Sequence, residues 1–390
     1  MPMRIVIDVR HLKDFGFGTY IRNLIRALAA LDSANQYQLV ALKQDLHDLA
    51  GLPSNFALVT YDRSDTDLRD QITFPLFLRK LRADLYHIPL NNVPLLMPKP
   101  YVVTVHDLSS LMFDHPQDAR NSYHLFKFRR GLLHADRIIA VSAATKRDLQ
   151  SVLNIPASRI RKIYNAIDGR FMDHTAAADA RVAGPEAQAL ERLRILERYQ
   201  INYPFLLYAG TIRPQKNIAR LVEAFAVIRG ELEGHERYKN LRLLIIGDDL
   251  SKYPAVRRAV IQTRSEQSVR FLGFVPLDTL RIFYSSAEAF VFPSLYEGFG
   301  LPPLEAMASG TAVVTSSVSS LPEVVGDAAM IVNPENVFDI ARGIREVLLD
   351  DDLRQSLIER GFERLKVFRW DQTAKEVLET YQDAVYKPGK

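Results

Sequence analysis

Residues 291–310 read Val-Phe-Pro-Ser-Leu-Tyr-Glu-Gly-Phe-Gly-Leu-Pro-Pro-Leu-Glu-Ala-Met-Ala-Ser-Gly. An apolar strand over 289–292 runs into a loop that carries Glu297, Gly298 and Gly300. Pro302 and Pro303 open a helix, Glu305 falls in its first turn, and Gly310 ends it. The first N–H groups of a helix lack partners within it and carry partial positive charge, so they suit a phosphate, and the glycines let the backbone approach it. Ionised carboxylates only accept hydrogen bonds. Two of them beside an anion site therefore point to a ligand with both a phosphate and hydroxyl groups. Read singly, each has a plainer account: Glu305 favours the helix start by roughly 0.3–1 kcal/mol, and Glu297 is a solvated loop residue.

Working outward, 390 residues with a 47% apolar share exceed one hydrophobic core and predict two domains. The chain has no cysteine, so disulfides and thiolate metal sites are excluded, as fits a reducing compartment. The first residues form a strand pattern rather than a basic leader, and no long apolar run suggests a membrane span. Charge is uneven. Residues 1–180 hold 23 Lys+Arg against 18 Asp and no Glu, or +5, and the remainder holds 27 against 28, or −1. That shift places a domain boundary near 180 and makes the first domain the partner of something anionic. Nucleic acid is not expected, because the basic residues are scattered rather than interleaved with aromatics.

In the first half, the strand Arg4-Ile-Val-Ile-Asp8 leads to Phe15-Gly16-Phe-Gly18-Thr and a helical period. This is a phosphate-binding order, although a bland tight turn explains the same glycines. A nicotinamide fingerprint would place a third glycine where Ile21 stands, and Asp45, after a strand over 38–43, is a weak match for its acid, which leaves an oxidoreductase disfavoured. The strand Tyr101-Val-Val-Thr-Val ends at His106-Asp107, where ligands sit in open parallel sheets. Residues 71–82 and 126–130 each set apolar or aromatic side chains beside basic ones. Such clusters are core helices with solvated ends or surfaces for an anionic bilayer. In the second half, Phe205-Leu-Leu-Tyr-Ala-Gly210 is followed by Arg213 and Lys216 ahead of a helix, and both cations suit a diphosphate. Residues 337–367 read as one long helical stretch.

Glu297, seven intervening residues and Glu305, with Gly-Phe-Gly-Leu-Pro between them, resemble the signature of retaining nucleotide-sugar glycosyltransferases of family four. Thr104-Val-His-Asp-Leu108 is similar to that family's first-domain motif, whose His lines the sugar side of the cleft. Ile163 to Asp168 is similar to its last strand before the linker, here 173–190, and Phe368-Arg-Trp370 with the helix over 371–386 to its C-terminal tail. The Arg213–Lys216 loop resembles its diphosphate-binding segment. Many relatives carry Arg immediately before the Lys; here it is Gln215, and Arg213 is taken as the second cation. The resemblance spans residues 4–386.

The fold implied is α/β of the GT-B type: two doubly wound Rossmann-like domains facing a central cleft. Residues 1–180 form an N-terminal acceptor-side domain, 181–370 a nucleotide-sugar domain, and 371–390 a helix returning to the first. The function implied is a retaining hexosyltransferase. It moves a hexose from GDP-mannose or a UDP-hexose to a hydroxyl of a saccharide or lipid-linked saccharide, in bacterial polysaccharide or glycolipid assembly. His106, Glu297, Lys216 and Arg213 are the catalytic candidates. Gly16, Gly18, Gly210, Gly273, Val275, Phe299, Gly300, Leu301 and Glu305 complete the donor site. Glu305 would accept from ribose hydroxyls, Glu297 would bind the hexose, the 299–301 backbone would line sugar and diphosphate, and Gly273 to Val275 would pass the nucleobase. No carboxylate stands out as a nucleophile of the glycosidase kind, so a same-face displacement is expected, in which the leaving phosphate takes the acceptor's proton. The Asp65-Thr-Asp67 string lies far in sequence from the phosphate loop, and neither a metal nor another cofactor is expected. A non-hydrolysing sugar-nucleotide epimerase and a non-enzymatic sugar-nucleotide binding protein are the competing functions. The expected location is cytoplasmic, with a peripheral contact on the inner face of an anionic membrane as a further reading.

Overall fold

The computed structural model describes residues 2–14, 16–63, 69–113, 119–172, 185–249 and 252–386. Asp65-Thr-Asp67 and most of the linker expected over 173–190 lie outside the described residues. The chain divides into two compact units. One comprises Met1–Ala166 with Phe368–Lys390, the other Ile167–Val367. The first division falls earlier in the chain than the 180 expected from charge, and the second slightly earlier than the 370 implied by the resemblance of the C-terminal tail.

The first unit opens with β1 (Arg4–Asp8), α1 (Phe17–Leu31), β2 (Gln36–Ala41), β3 (Phe56–Thr60), α2 (Asp70–Lys80), β4 (Leu85–Ile88) and β5 (Tyr101–Val105). It continues through α3 (Ser109–Met112), α4 (Ala119–His134), β6 (Arg137–Ala140), α5 (Ala143–Leu153) and β7 (Ile160–Lys162). Its seven strands pair in the order β3-β2-β1-β4-β5-β6-β7, each neighbouring pair parallel. A parallel sheet is covered on both faces, so its strands read as near-continuous apolar runs, and the period of two decides which helices each residue meets. In β1, Ile5 and Ile7 enter a cluster with residues of α1, while Val6 enters another with Phe74 and Leu78 of α2 and Leu132 of α4. The second strand stops at Ala41 rather than 43, because Lys43 starts a short 3₁₀ turn (Lys43–Leu49).

The second unit contains α6 (Gly169–Met172), α7 (Pro185–Arg198), β8 (Phe205–Ala209), α8 (Ile218–Glu231), β9 (Arg242–Ile246), α9 (Pro254–Gln262), β10 (Val269–Gly273), α10 (Leu277–Ser286) and β11 (Ala289–Phe292). Then come α11 (Leu301–Ala308), β12 (Val313–Ser316), α12 (Leu321–Val325), β13 (Met330–Val332), α13 (Val337–Leu349) and α14 (Asp351–Leu365). Its sheet order is β10-β9-β8-β11-β12-β13, again parallel. The order reverses between β8 and β11, and the loops leaving those two strands carry Lys216 and Glu297. The long helix expected over 337–367 is two helices. Asp350 interrupts it in an extended conformation, and its carboxylate accepts from the Leu353 N–H (2.8 Å) as the cap of α14. That cap belongs to Asp350-Asp351-Asp352, whose outer residues also have Asp-x-Asp spacing; Asp351 is bonded to Arg354.

The chain then returns to the first unit as α15 (Trp370–Tyr386), which buries Ala374, Val377, Tyr381 and Ala384 in the cluster shared with α1. Among the described residues no helix is long and apolar enough to cross a membrane.

Candidate active site

In the second unit, β11 delivers the chain into the loop 293–300, and Gly300 stands before α11 with φ 109°, a left-handed value that glycine adopts without strain. A Cβ there would lie 2.8 Å from Leu321 Cδ2, so the loop is pressed against the start of α12. Two serines at that start fasten it. Ser319 donates to the Glu297 carbonyl (2.6 Å) and accepts from the Glu297 N–H (3.1 Å), and Ser320 donates to the Phe299 carbonyl (2.6 Å). From the other side, the Leu295 N–H donates to the Gln215 carbonyl (2.7 Å). Asn217, buried and left-handed at φ 62°, donates through Nδ2 to the carbonyls of Pro293 (3.0 Å) and Pro334 (2.7 Å). Asn tolerates that conformation better than most residues.

These ties bring together side chains 81 residues apart. Lys216 Nζ lies 2.6 Å from Glu297 Oε1, with side chains 17% and 11% exposed. Arg213 is exposed on the same loop. Gln215 is buried and lends its backbone carbonyl. Gly210 closes β8 at φ 149°, and a Cβ on Gly247, at the end of β9, would sit 2.0 Å from the Gly210 carbonyl oxygen. The two strand ends thus meet backbone to backbone beneath the cationic loop.

Glu305 is not in the first turn of its helix. The helix begins at Leu301, and Glu305 projects from its fifth residue toward Tyr284, whose hydroxyl donates to Oε2 (3.0 Å). Burial pushes the Glu305 carboxyl up to about 7; the Tyr284 bond offsets part of this and Asp168 adds to it. A dipole role at the helix start is therefore not its function. Because Pro302 and Pro303 carry no N–H, the helix offers fewer donors than its position suggests, and the Leu301 N–H leads them. Phe299 is buried. Gly273 has φ 67°, with nothing within 4 Å of a Cβ built there, and is followed by exposed Phe274 and buried Val275.

The remaining candidates lie in the first unit. Gly16 (φ 81°) precedes α1, and Gly18 is required by packing, since a Cβ would sit 2.2 Å from the Leu12 carbonyl oxygen. The Gly18 N–H is already spent on the Asp14 carbonyl (2.9 Å). His106 packs against Phe17 (5.0 Å between ring centroids) and edge-on against Tyr20 (4.7 Å). Its Nε2 lies 3.1 Å from the Pro89 carbonyl, and burial lowers its pKa to about 4. A carbonyl only accepts, so the neutral ring carries its proton on Nε2 and presents Nδ1 as an acceptor. Asp45, considered as a ribose-binding acid, is buried and paired with Lys13 (2.9 Å). Among the described residues, no three His, Asp or Glu converge as a set of metal ligands.

A family model described as Glycosyl transferases group 1 matches residues 194–364, and one described as Glycosyltransferase Family 4 matches residues 16–170. The O-antigen chain mannosyltransferase B of Escherichia coli is 33% identical over 308 residues, which cover 78% of this chain and 76% of that protein. The chain belongs to the family-four glycosyltransferases. The serotype-specific mannosyltransferase WbdA of Escherichia coli is 29% identical over 84% of this glycosyltransferase; the match spans 38% of WbdA, well under half its length. Anabaena HepE, solved in complex with UDP-glucose, matches with a TM-score of 0.73 at 16% identity over 97% of this chain and 99% of its own, a likeness of GT-B fold.

Asn217, Ser319, Ser320 and Tyr284 were not singled out from sequence. Ser319-Ser320 directly before the helix start at Leu321 was the available signal, as a capping pattern; for Tyr284 there was none.

Proposed function

We propose that this glycosyltransferase is a metal-independent, retaining hexosyltransferase, with GDP-mannose or a UDP-hexose as donor and a hydroxyl of a saccharide or lipid-linked saccharide as acceptor, in polysaccharide assembly. The Lys216–Glu297 contact at 2.6 Å carries the reading. An ammonium has three donors. One holds Glu297 while the others turn to a diphosphate, so the cation that meets growing charge on the leaving group is positioned beforehand. Glu297 keeps an oxygen for hexose hydroxyls, Glu305 accepts from the ribose, Arg213 adds a second cation, and Gly273 to Val275 pass the base. His106 Nδ1 accepts from a sugar hydroxyl. The leaving phosphate takes the acceptor's proton in a same-face displacement. The mannosyltransferase activity named for two relatives, and the UDP-glucose bound to HepE, support a nucleotide-sugar donor.

A thermal-shift panel of nucleotides and nucleotide sugars tests the donor, since a ligand at a hundred times its Kd stabilises by about 2.7 kcal/mol. Product analysis then tests the chemistry. Donor consumed only with a saccharide acceptor, with the anomeric configuration kept and activity surviving EDTA, is the expected result. Epimerisation of the donor without acceptor, inversion, or activity lost to chelation and restored by magnesium would overturn it.

A peripheral membrane contact through the first unit belongs to the same proposal. On α2, Ile72 and Leu76 are exposed one turn apart, ahead of exposed Arg79 and Lys80, while Phe74 and Leu78 are buried. On α4, Phe126 is exposed with Arg129 and Arg130.

A further inference from the structure

Tyr284 on α10 is wholly buried, yet its hydroxyl is spent on the donor site. Its ring meets Phe290 of β11 (5.2 Å between centroids) and Phe171 of α6 (6.0 Å), both edge-on. Its carbonyl accepts from the Thr311 hydroxyl (2.5 Å). Held at both ends, the phenol cannot turn to water, and its donation to Glu305 Oε2 (3.0 Å) is fixed.

Packing alone accounts for the ring, which phenylalanine would supply as well. Three observations give the hydroxyl a further use. Among the described residues Tyr284 is the one side chain that donates to Glu305, so Oε2 is taken and Oε1 keeps its lone pairs for a ligand. Glu305 is only half-buried whereas Tyr284 is sealed, so the open side of the carboxylate is the side away from the phenol. A like charge also acts on Glu305. Asp168, where the chain enters the second unit, disfavours the ionised form that the Tyr284 bond favours. Arg170 steadies Asp168 by forking onto Oδ1 and Oδ2 (3.0 and 2.9 Å), and Phe171 beside it is the ring that braces Tyr284.

The other elements packed on α11 bring little charge to this carboxylate. Strands β11 and β12 carry no charged residue. On α10, Asp278 acts on Arg170 and Arg281 lies nearer the helix start. Helix α14 meets the Met307 face, where a Cβ on Gly361 would lie 3.1 Å from Met307 Cγ, and its Arg364 donates to the carbonyls of Glu323 and Val324 on α12. Glu297 is paired with Lys216.

Building on the donor assignment above, we infer that Tyr284 and Asp168 are positioning residues for nucleotide binding, both acting through Glu305. The phenol aims Oε1 at the ribose and favours the charged acceptor, and the aspartate opposes that charge. Their balance sets the pH at which ribose binding switches on.

Calorimetric titration of GDP and UDP from about pH 6 to about pH 8 tests this. Affinities are referred to Glu305→Gln, which carries the titration of the nucleotide's own phosphate. Tyr284→Phe keeps the ring, and should move the midpoint of the affinity rise up by about one pH unit, with about tenfold weaker binding near neutrality. Asp168→Asn should move the midpoint down. Lost packing would instead weaken binding equally at every pH. Midpoints that coincide in wild type and Tyr284→Phe, or an equal loss at every pH, overturn the inference and leave the donor reading standing. Binding of neither nucleotide by the wild type removes the donor reading and this inference with it. Should Tyr284→Phe fail to fold, Asp168→Asn repeats the comparison, and an unmoved midpoint in that variant overturns the inference as well.

Discussion

The two units treat their polar side chains in opposite ways. In the first, titratable groups are sealed into closed networks. Arg10 donates to Asp8 (2.8 Å) and Asp70 (3.1 Å) beneath the Phe74 ring. His87, with no solvent exposure, bridges the Tyr381 hydroxyl (2.7 Å) and Thr104 (2.9 Å), and burial lowers its pKa to about 3. In the second, Lys216 and Glu297 meet at the mouth of two loops, partly exposed, with Arg213 in solvent beside them. Sealed networks specify a fold, whereas partly open pairs keep valences for a ligand. Substitutions should separate the two, with the first unit answering in stability and the second in activity.

The largest effect belongs to the sealed side. Arg10→Met leaves Asp8 and Asp70 buried without their cation, and breaking a buried pair by removing one partner costs about 3–5 kcal/mol. Urea unfolding should show that loss. A variant as stable as wild type would mean that the network is solvated after all.

Next comes Lys216→Ala, expected to lower turnover on the order of 10²–10³, the range for one preorganised donor, with little change in unfolding. Glu297→Gln is also expected to be severely impaired, and the contact changes what its binding should show. On sequence alone Glu297 would touch only the hexose, and its loss would spare nucleotide affinity. Because it also holds Lys216, nucleoside diphosphate affinity should fall as well. Unchanged affinity measured by calorimetry would mean that Lys216 keeps its place without Glu297.

That revision marks where the sequence stops being informative. Alternating buried strands and helices, and the run from Val291 to Gly310, are local patterns, and they carried the fold class and most candidate residues. The Lys216–Glu297 contact and the Arg10–Asp8–Asp70 cluster join residues distant in sequence. Their pairing depends on sheet order and on Asn217, Ser319 and Ser320 fastening loops through backbone carbonyls, which no local period encodes. The displacement of Glu305 from the first turn has a similar cause, since the helix start is set by the positive φ of Gly300 as well as by the two prolines.

Tyr381→Phe tests a single link of the sealed side. It leaves His87 Nδ1 buried without its partner, at a cost of about 1–3 kcal/mol, and should move stability without altering donor affinity. A fall in nucleotide binding as large as that in Glu297→Gln would erase the division between the units.

Glu305 is the acid of the open side whose charge changes near neutrality. Its folded pKa of about 7 is raised above the ordinary carboxylate value. Its share of stability is therefore greatest below the unfolded pKa and declines as pH rises toward 7, with no further change above it. Donor binding runs the other way, because a ribose hydroxyl bonds an ionised carboxylate more strongly than a protonated one. Nucleotide affinity in wild type should rise roughly tenfold between pH 6 and 8, and the rise should flatten in Glu305→Gln. An identical slope in both proteins would assign the titration elsewhere.

The smallest effect concerns the outer surface of the first unit, where charge is neither sealed nor paired for a ligand. Exposed Ile72 and Leu76 on α2 lie ahead of Arg79 and Lys80, and exposed Phe126 on α4 lies ahead of Arg129 and Arg130. A cation near an anionic bilayer contributes about 1 kcal/mol and is screened within a Debye length, about 10 Å at 0.1 M salt. Apolar insertion is insensitive to that screening. Co-sedimentation with phosphatidylglycerol vesicles should therefore fall with added salt to a floor set by the apolar side chains. Arg79→Ala should lower the salt-dependent part by about 1 kcal/mol, and Leu76→Ser should lower the floor alone. Equal binding to neutral phosphatidylcholine vesicles would remove the electrostatic half of the idea, and no binding at any salt would return both helices to ordinary solvated surface.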